Sequence, residues 1–288
     1  MNYRSKNIIK IIVVVFSIVC LSNCIIAQTT NKKAIDSLLS KASELKYDSP
    51  DSAIIIYNKL IDYYKQKSNL DDLYVTQIKL ASCLSIQQKN NEALKVYEAC
   101  LKYYQQKNDS VNLSSVYSGM AGVCYNLNDS KRVIAYLEMA SKVCNVNSQP
   151  KLKFINILNL ENYYVLTEQY DSAYKCCQQA SKLLSIIKDS VATYQLKIKL
   201  TYIYYVKHQY KQAIENGLAV LNFSNNSDKR VSMSAYSIVG SSYFALKDYQ
   251  KSRVYLDSAL DVSKRINSLR DYREILQSKF MLDTATKN

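Results

Sequence analysis

The stretch 239–260, "VGSSYFALKDYQKSRVYLDSAL", decides the fold. It holds Gly240, one of only four glycines in the 288-residue chain, followed by Tyr243, Tyr249, Ser252 and Ala259. On either side of Leu246-Lys247-Asp248, apolar and small residues recur three and four apart, as helices with one buried stripe require. A break of three residues between two such patterns leaves room only for an antiparallel helical hairpin.

The same pattern echoes along the chain. A small residue recurs at Ala53, Ala93, Val133, Ala173, Ala213 and Ser252, spaced 40, 40, 40, 40 and 39 residues apart. Seven positions after each of these lie Leu60, Cys100, Ala140, Ala180, Val220 and Ala259. Twelve positions before five of them lie Ala81, Ala121, Glu161, Thr201 and Gly240. A fixed period of this length is the mark of a repeat architecture. Each unit divides into two amphipathic helices, and small residues at the crossing let their backbones approach closely.

The punctuation agrees. Asp109, Asp189 and Asp228 stand where they can accept from the backbone N–H groups that open first helices. The triplets Asn128-Asp129-Ser130 and Tyr170-Asp171-Ser172 are expected to do the same before second helices. Pro50 and Pro150, the two prolines, fall where a first-turn proline costs nothing. So little Gly and Pro favours a mostly helical chain, since tight turns and strand-rich folds consume both. The net charge is +14, but Lys and Arg are spread thinly along the chain. That reads as a solvated helical surface and argues against a nucleic-acid partner.

The pattern resembles the tetratricopeptide repeat (TPR) family over residues 32–285, most clearly at Tyr236, Val239, Gly240, Tyr243, Tyr249, Ser252, Leu256 and Ala259. In the third unit Tyr117, Met120, Ala121, Ala135, Tyr136, Leu137 and Ala140 follow the same plan. The family's repeat is shorter, its tryptophan is replaced here, and Gly217 stands where a bulky residue is expected. The resemblance implies an all-α, right-handed α-solenoid of about six TPR-like hairpins, with a C-terminal helix near 268–283 capping the open end. It also implies a groove lined by first helices that takes a protein or peptide. On that face fall Tyr125, Asn126, Asn162, Gln195, Tyr202, Tyr205, Ser241 and Phe244. The charged clamp with which chaperone-binding members hold a terminal carboxylate has no counterpart, so acidic tails are disfavoured there.

Residues 1–27 read as an export signal: a basic start with Arg4, Lys6 and Lys10, then the apolar run 11–21. Eleven residues are too few to span a bilayer, which takes about 20. Cleavage after Ala27, acylation of Cys24 in a lipoprotein-like "LSNC", and retention as an anchor all stay open. Each sends the domain out of the cytoplasm, into the periplasm or onto the envelope. Membrane association then rests only on an uncleaved signal or a lipid on Cys24. The chain also resembles exported TPR proteins and the sensory TPR segments of Bacteroidota regulators, so a sensory module is the alternative to a scaffold.

Catalysis finds little support. His208 is the sole histidine and falls in a turn. There is no phosphate-binding glycine loop, no H-E-x-x-H and no G-x-S-x-G. No cofactor and no metal is expected. Six cysteines, Cys83, Cys100, Cys124, Cys144, Cys176 and Cys177, fall at helical sites as small hydrophobes. Cys100 with Cys124 is the one pair that could bridge. Asp109-Ser110-Val111, Asp189-Ser190-Val191 and Asp283-Thr284-Ala285 resemble an O-glycosylation pattern, although helix capping explains the first two equally well.

Overall fold

The computed structural model describes residues 32–224 and 228–286. The signal, Cys20 and Cys24 lie outside the described residues. Among those described, the chain forms thirteen helices and no strand. These are α1 (32–48), α2 (Pro50–Gln66), α3 (Leu70–Ile86), α4 (Asn90–Lys107), α5 (Ser110–Asn126), α6 (Ser130–Val143) and α7 (Pro150–Leu166). They continue as α8 (Tyr170–Ile187), α9 (Ser190–Val206), α10 (Tyr210–Ser224), α11 (Lys229–Ala245), α12 (Tyr249–Arg265) and α13 (Leu269–Ala285). The chain is thus an α-solenoid of helical hairpins, odd-numbered helices being first and even-numbered ones second.

Contacts divide it into two compact units, Met1–Ser130 and Lys131–Asn288. In the first, α2 packs on α3, α3 on α4, and α5 on both α3 and α4. In the second, α7 through α12 each pack on the next helix, α9 also meets α11, and α13 lies on α12 and α11.

Every small-residue position of the forty-residue register is buried, from Ala53 and Leu60 to Gly240, Ser252 and Ala259. Gly240 faces Leu256: a Cβ there would stand 2.9 Å from Leu256 Cγ and 3.1 Å from its backbone nitrogen. The partner is therefore the body of Leu256, which lies between the small residues Ser252 and Ala259 of the register. Gly217 explains itself in the same way. A Cβ on it would meet Val239 Cγ2 at 2.4 Å and Thr201 Cγ2 at 3.2 Å, so the backbone of α10 approaches α11 and α9 too closely for a side chain.

The period is really twenty. At Ser68, Gln88, Asn108, Asn128, Glu168, Lys188, His208, Lys247 and Asn267 the chain leaves a helix in the left-handed region, with φ between 48° and 63°. The following N–H usually returns to a carbonyl five residues back, as in Lys89 to Leu84 at 2.9 Å and Gln209 to Tyr204 at 2.8 Å. This is the Schellman ending, most often built on glycine. Here none of the nine is glycine; Asn108, Asn128 and Asn267 enter this region readily, while for the longer side chains it costs about 1 kcal/mol each.

The caps divide. Asp109 accepts from Val111 and Asn112 N–H at 3.1 Å each, and Asp228 from Arg230 and Val231. Asp189 accepts from Val191. Pro50 and Pro150 occupy first turns. Asp171 is a correction: α8 opens on Gln169 without a side-chain cap, and Asp171 lies inside the first turn, paired with Lys207. Its carboxylate still faces the positive end of the helix.

The end of the second unit is held by Met233, Leu256, Ala259, Leu260, Ile275 and Leu282. Through Ile275 and Leu282, α13 covers that core, while Leu269, Leu276, Phe280 and Met281 on its other side are exposed.

Candidate functional site

The expected groove residues sit on first helices and must be taken unit by unit. In the first unit, Tyr125 is exposed near the end of α5. Asn126 beside it is occupied: its Nδ2 donates to Ser85 O at 3.0 Å, Ser85 Oγ at 3.1 Å and Asn90 Oδ1 at 3.3 Å. Asn126 therefore ties α5 to α3 and α4, and its side-chain donor is not waiting for a ligand.

In the second unit the surface is aromatic. Tyr202 is exposed and Tyr205 half-buried at the end of α9; Gln195 is exposed on the same helix. Desolvation, then the neighbouring Tyr170, Tyr205 and Glu168, push the Tyr202 phenol above its ordinary pKa. It therefore keeps its proton and can donate. Ser241 and Phe244, both half-buried, occupy α11, which packs on α9.

Tyr205 lies 6.0 Å from Tyr210, centroid to centroid, and Phe244 lies 5.8 Å from Tyr249. The two pairs hold equivalent places, 39 residues apart, where a first helix passes into its second. Sequence reasoning missed Tyr210 and counted Tyr249 among the residues that carry the repeat pattern. The signal was present as an aromatic pair five residues apart that repeats with the period. Phe244 also packs against the terminal core, so part of its ring is structural.

Between α7 and α9 lies a charged bridge. Glu161 occupies a small-residue position of the register and is 2 % exposed. Lys199 Nζ donates to its Oε2 at 2.6 Å and also to Asn162 Oδ1. Burial raises the Glu161 carboxyl above its ordinary value, opposed by the Lys199 charge. Asn162, expected in the groove, is exposed but serves this bridge. A carboxylate at a small-residue position was the flag for it.

His208 stands in a left-handed turn, its Nδ1 2.7 Å from Tyr210 Oη. Among the described residues no group of three His, Cys, Asp or Glu is placed to hold a metal, and no helix is long and apolar enough to cross a membrane. The six cysteines are buried and unbridged, Cys100 and Cys124 included, and five lie in helices; Cys144, expected at a helical site, falls one residue past the end of α6. Burial pushes Cys100 and Cys177 up to about 12 and Cys176 to about 11, the posture of inert core thiols.

A second feature had no sequence forecast. Within the second unit, a cavity of about 850 Å³ opens between α6 and α8 with α7 as its floor. None of the eight expected groove residues lines it. It lies on the second-helix side.

No protein-family model and no curated protein sequence matches the chain. Solved structures do. The chain is similar to BtubC (BKLC) from P. vanneervenii, with a TM-score of 0.63 at 17% identity over 82% of this chain and 94% of that one. It is similar to a Signal Transduction ATPase with Numerous Domains (STAND) protein with a tetratricopeptide repeat sensor from Pyrococcus horikoshii, with a TM-score of 0.68 at 13% identity. That match covers 88% of this chain but 42% of the larger protein. A Rap protein complexed with Competence and Sporulation Factor matches with a TM-score of 0.56 at 12% identity, over 86% of this chain and 75% of that one. At these identities the likeness establishes the fold: a solenoid of the tetratricopeptide-repeat type. That is the class to which hairpins, register and turns point together.

Proposed function

We propose that the protein is an exported, non-catalytic repeat scaffold that binds a protein or peptide segment on the first-helix face of its second unit. The carrying observation is the surface made by Tyr202 and Tyr205 on α9 with Ser241 and Phe244 on the adjoining α11. Tyrosine offers apolar area and a hydroxyl with few rotors to freeze, which suits recognition. A neighbour in structure, the Rap protein, was solved with Competence and Sporulation Factor bound, which supports a binding role for the fold. Nothing in the residues of this face favours nucleic acid. The basic, then apolar, start of the chain supports export, with the periplasm as the destination; N-terminal sequencing of protein from the cell envelope tests that directly.

The sensory reading has one observation in its favour, the likeness to the STAND protein with its tetratricopeptide repeat sensor. It differs from the scaffold reading in what the bound partner is.

The test is a paired substitution. Tyr202→Ala with Tyr205→Ala removes two rings of which one is exposed and the other half-buried. A partner recovered with the unaltered protein is expected to be lost with this variant while the helical circular-dichroism spectrum is unchanged. Undiminished recovery by the folded variant refutes the assignment.

A further inference from the structure

The cavity between α6 and α8 is lined along α8 by Ser172, Lys175, Cys176, Gln179, Lys182, Leu183 and Ile186, one continuous face. From Ser172 to Ile186 that face runs about 21 Å. The floor is apolar: Ile157, Leu160 and Tyr164 from α7, recurring three and four apart, beside Leu183 and Ile186. The rim is cationic. Lys142, Lys153, Lys175 and Lys182 line it against the single carboxylate of Glu138.

Lys153 is already committed. Its Nζ donates to the carbonyls of Ser141 at 2.9 Å and Cys144 at 3.3 Å, closing the end of α6. Lys142, Lys175 and Lys182 are exposed, and none is in a salt bridge with a described residue. Lys175 and Lys182 are seven residues apart on one helix, hence two turns or about 10.5 Å. Lys175 also lies within electrostatic reach of Asp171, one turn back on α8. An apolar trough with three exposed cations on its walls is complementary to an apolar stripe flanked by carboxylates.

We propose that this trough is a docking site for an acidic amphipathic helix of a partner protein. Its apolar residues at helical spacing would lie on Ile157, Leu160 and Leu183, and carboxylates seven residues apart would meet Lys175 and Lys182. Charge selects this occupant over the two within the chain itself. A second copy brings a net charge of +14, and the apolar run 11–21 follows Arg4, Lys6 and Lys10. Both would set like charges against the rim. The site does not depend on the first-helix face, so either assignment can fail without the other.

The probe is a synthetic amphipathic helix of about five turns with leucines at helical spacing and glutamates seven apart, compared with its glutamate-to-lysine counterpart. Fluorescence anisotropy is read with the full chain, with the variant Lys142→Glu/Lys175→Glu/Lys182→Glu, and with the control Lys59→Glu/Lys95→Glu/Lys211→Glu. The control sites are exposed and lie off the trough. The acidic probe is expected to bind at least about tenfold tighter than the basic one, with the trough variant reversing that preference and the control leaving it intact. Equal binding of the two probes overturns the proposal. So does equal loss in the trough and control variants, which marks non-specific attraction to a basic protein. Binding of palmitate in the trough without binding of the helical probe overturns it as well, in favour of a lipid site.

Discussion

Gly217→Ala is the sharpest test of the packing. An added Cβ would stand 2.4 Å from Val239 Cγ2, more than an ångström inside ordinary carbon contact of about 3.5–4.0 Å. Val239 is fully buried on a helix, where a valine has essentially one rotamer, so its methyl cannot swing aside. Thr201, also fully buried, closes the other side at 3.2 Å. Helix α10 must therefore move away from α11 and α9. Overpacking of this kind costs about 1–3 kcal/mol. Alanine's better helix propensity offsets about 1 kcal/mol of that. A net loss of up to about 2 kcal/mol lowers the melting temperature by up to roughly 8 °C for a chain of this size. Gly122 supplies the contrast: it is exposed, and a Cβ there meets nothing within 4 Å. Gly122→Ala is expected to stabilise by about 0.5–1 kcal/mol. The assay is urea and thermal unfolding followed at the helical circular-dichroism band. Adding Val239→Ala to Gly217→Ala should cost less than the two single losses summed, because the smaller residue relieves the clash. Stabilisation by Gly217→Ala equal to that by Gly122→Ala would refute the close approach.

Three further outcomes are expected. Asp109→Ala removes the acceptor for two backbone N–H groups at the start of α5 and should cost about 1 kcal/mol, whereas Asp109→Asn should cost much less; equal unfolding midpoints for the two contradict the cap. The Asp71, Asp171, Asp189 and Asp248 carboxyls are held below the usual carboxylate range by hydrogen bonds from Lys107, Lys207, Lys151 and Lys251. Their stabilisation is complete above the unfolded-state value near about 4 and is lost as pH falls through the depressed values. Replacing all four by Asn should therefore lower stability at pH 7 and converge with the unaltered protein in strong acid; a difference independent of pH counts against these pairs. The six buried thiols should resist a thiol reagent at pH 8 in folded protein and all react in denaturant, while a shortfall of two would point to a Cys100–Cys124 bridge.

The architecture was legible because burial demands periodicity. Ala53, Ala93, Ala173 and Ala213 announce themselves only as a series, and each is fully buried where the series puts it. Asp109, Asp189 and Asp228 were readable because capping is local chemistry. The twenty-residue turns were not. Gln88, Glu168, Lys188 and Lys247 carry no mark of a left-handed backbone, which the fold imposes on them at about 1 kcal/mol apiece. Asp171 misled because a cap and a first-turn acid look alike until the start of the helix is known. Asn126 and Asn162 lie on first helices, but their partners Ser85 and Lys199 come from other helices 41 and 37 residues away. The trough escaped notice because it depends on how α6, α7 and α8 meet around the 144–149 connection, where α6 ends early at Val143 and the left-handed turn found at nine other connections is missing.

The most direct test of the central claim is a photo-crosslinking scan of the second unit in intact cells that produce the protein. A benzophenone side chain replaces Tyr205, Gln195 or Ser241 on the first-helix face, and Lys211 or Val254 on exposed parts of second helices away from the trough. Capture of one protein species from the first-helix positions, absent from Lys211 and Val254, is the predicted result. Capture from Lys211 and Val254 with none from Tyr205, Gln195 and Ser241 would contradict it.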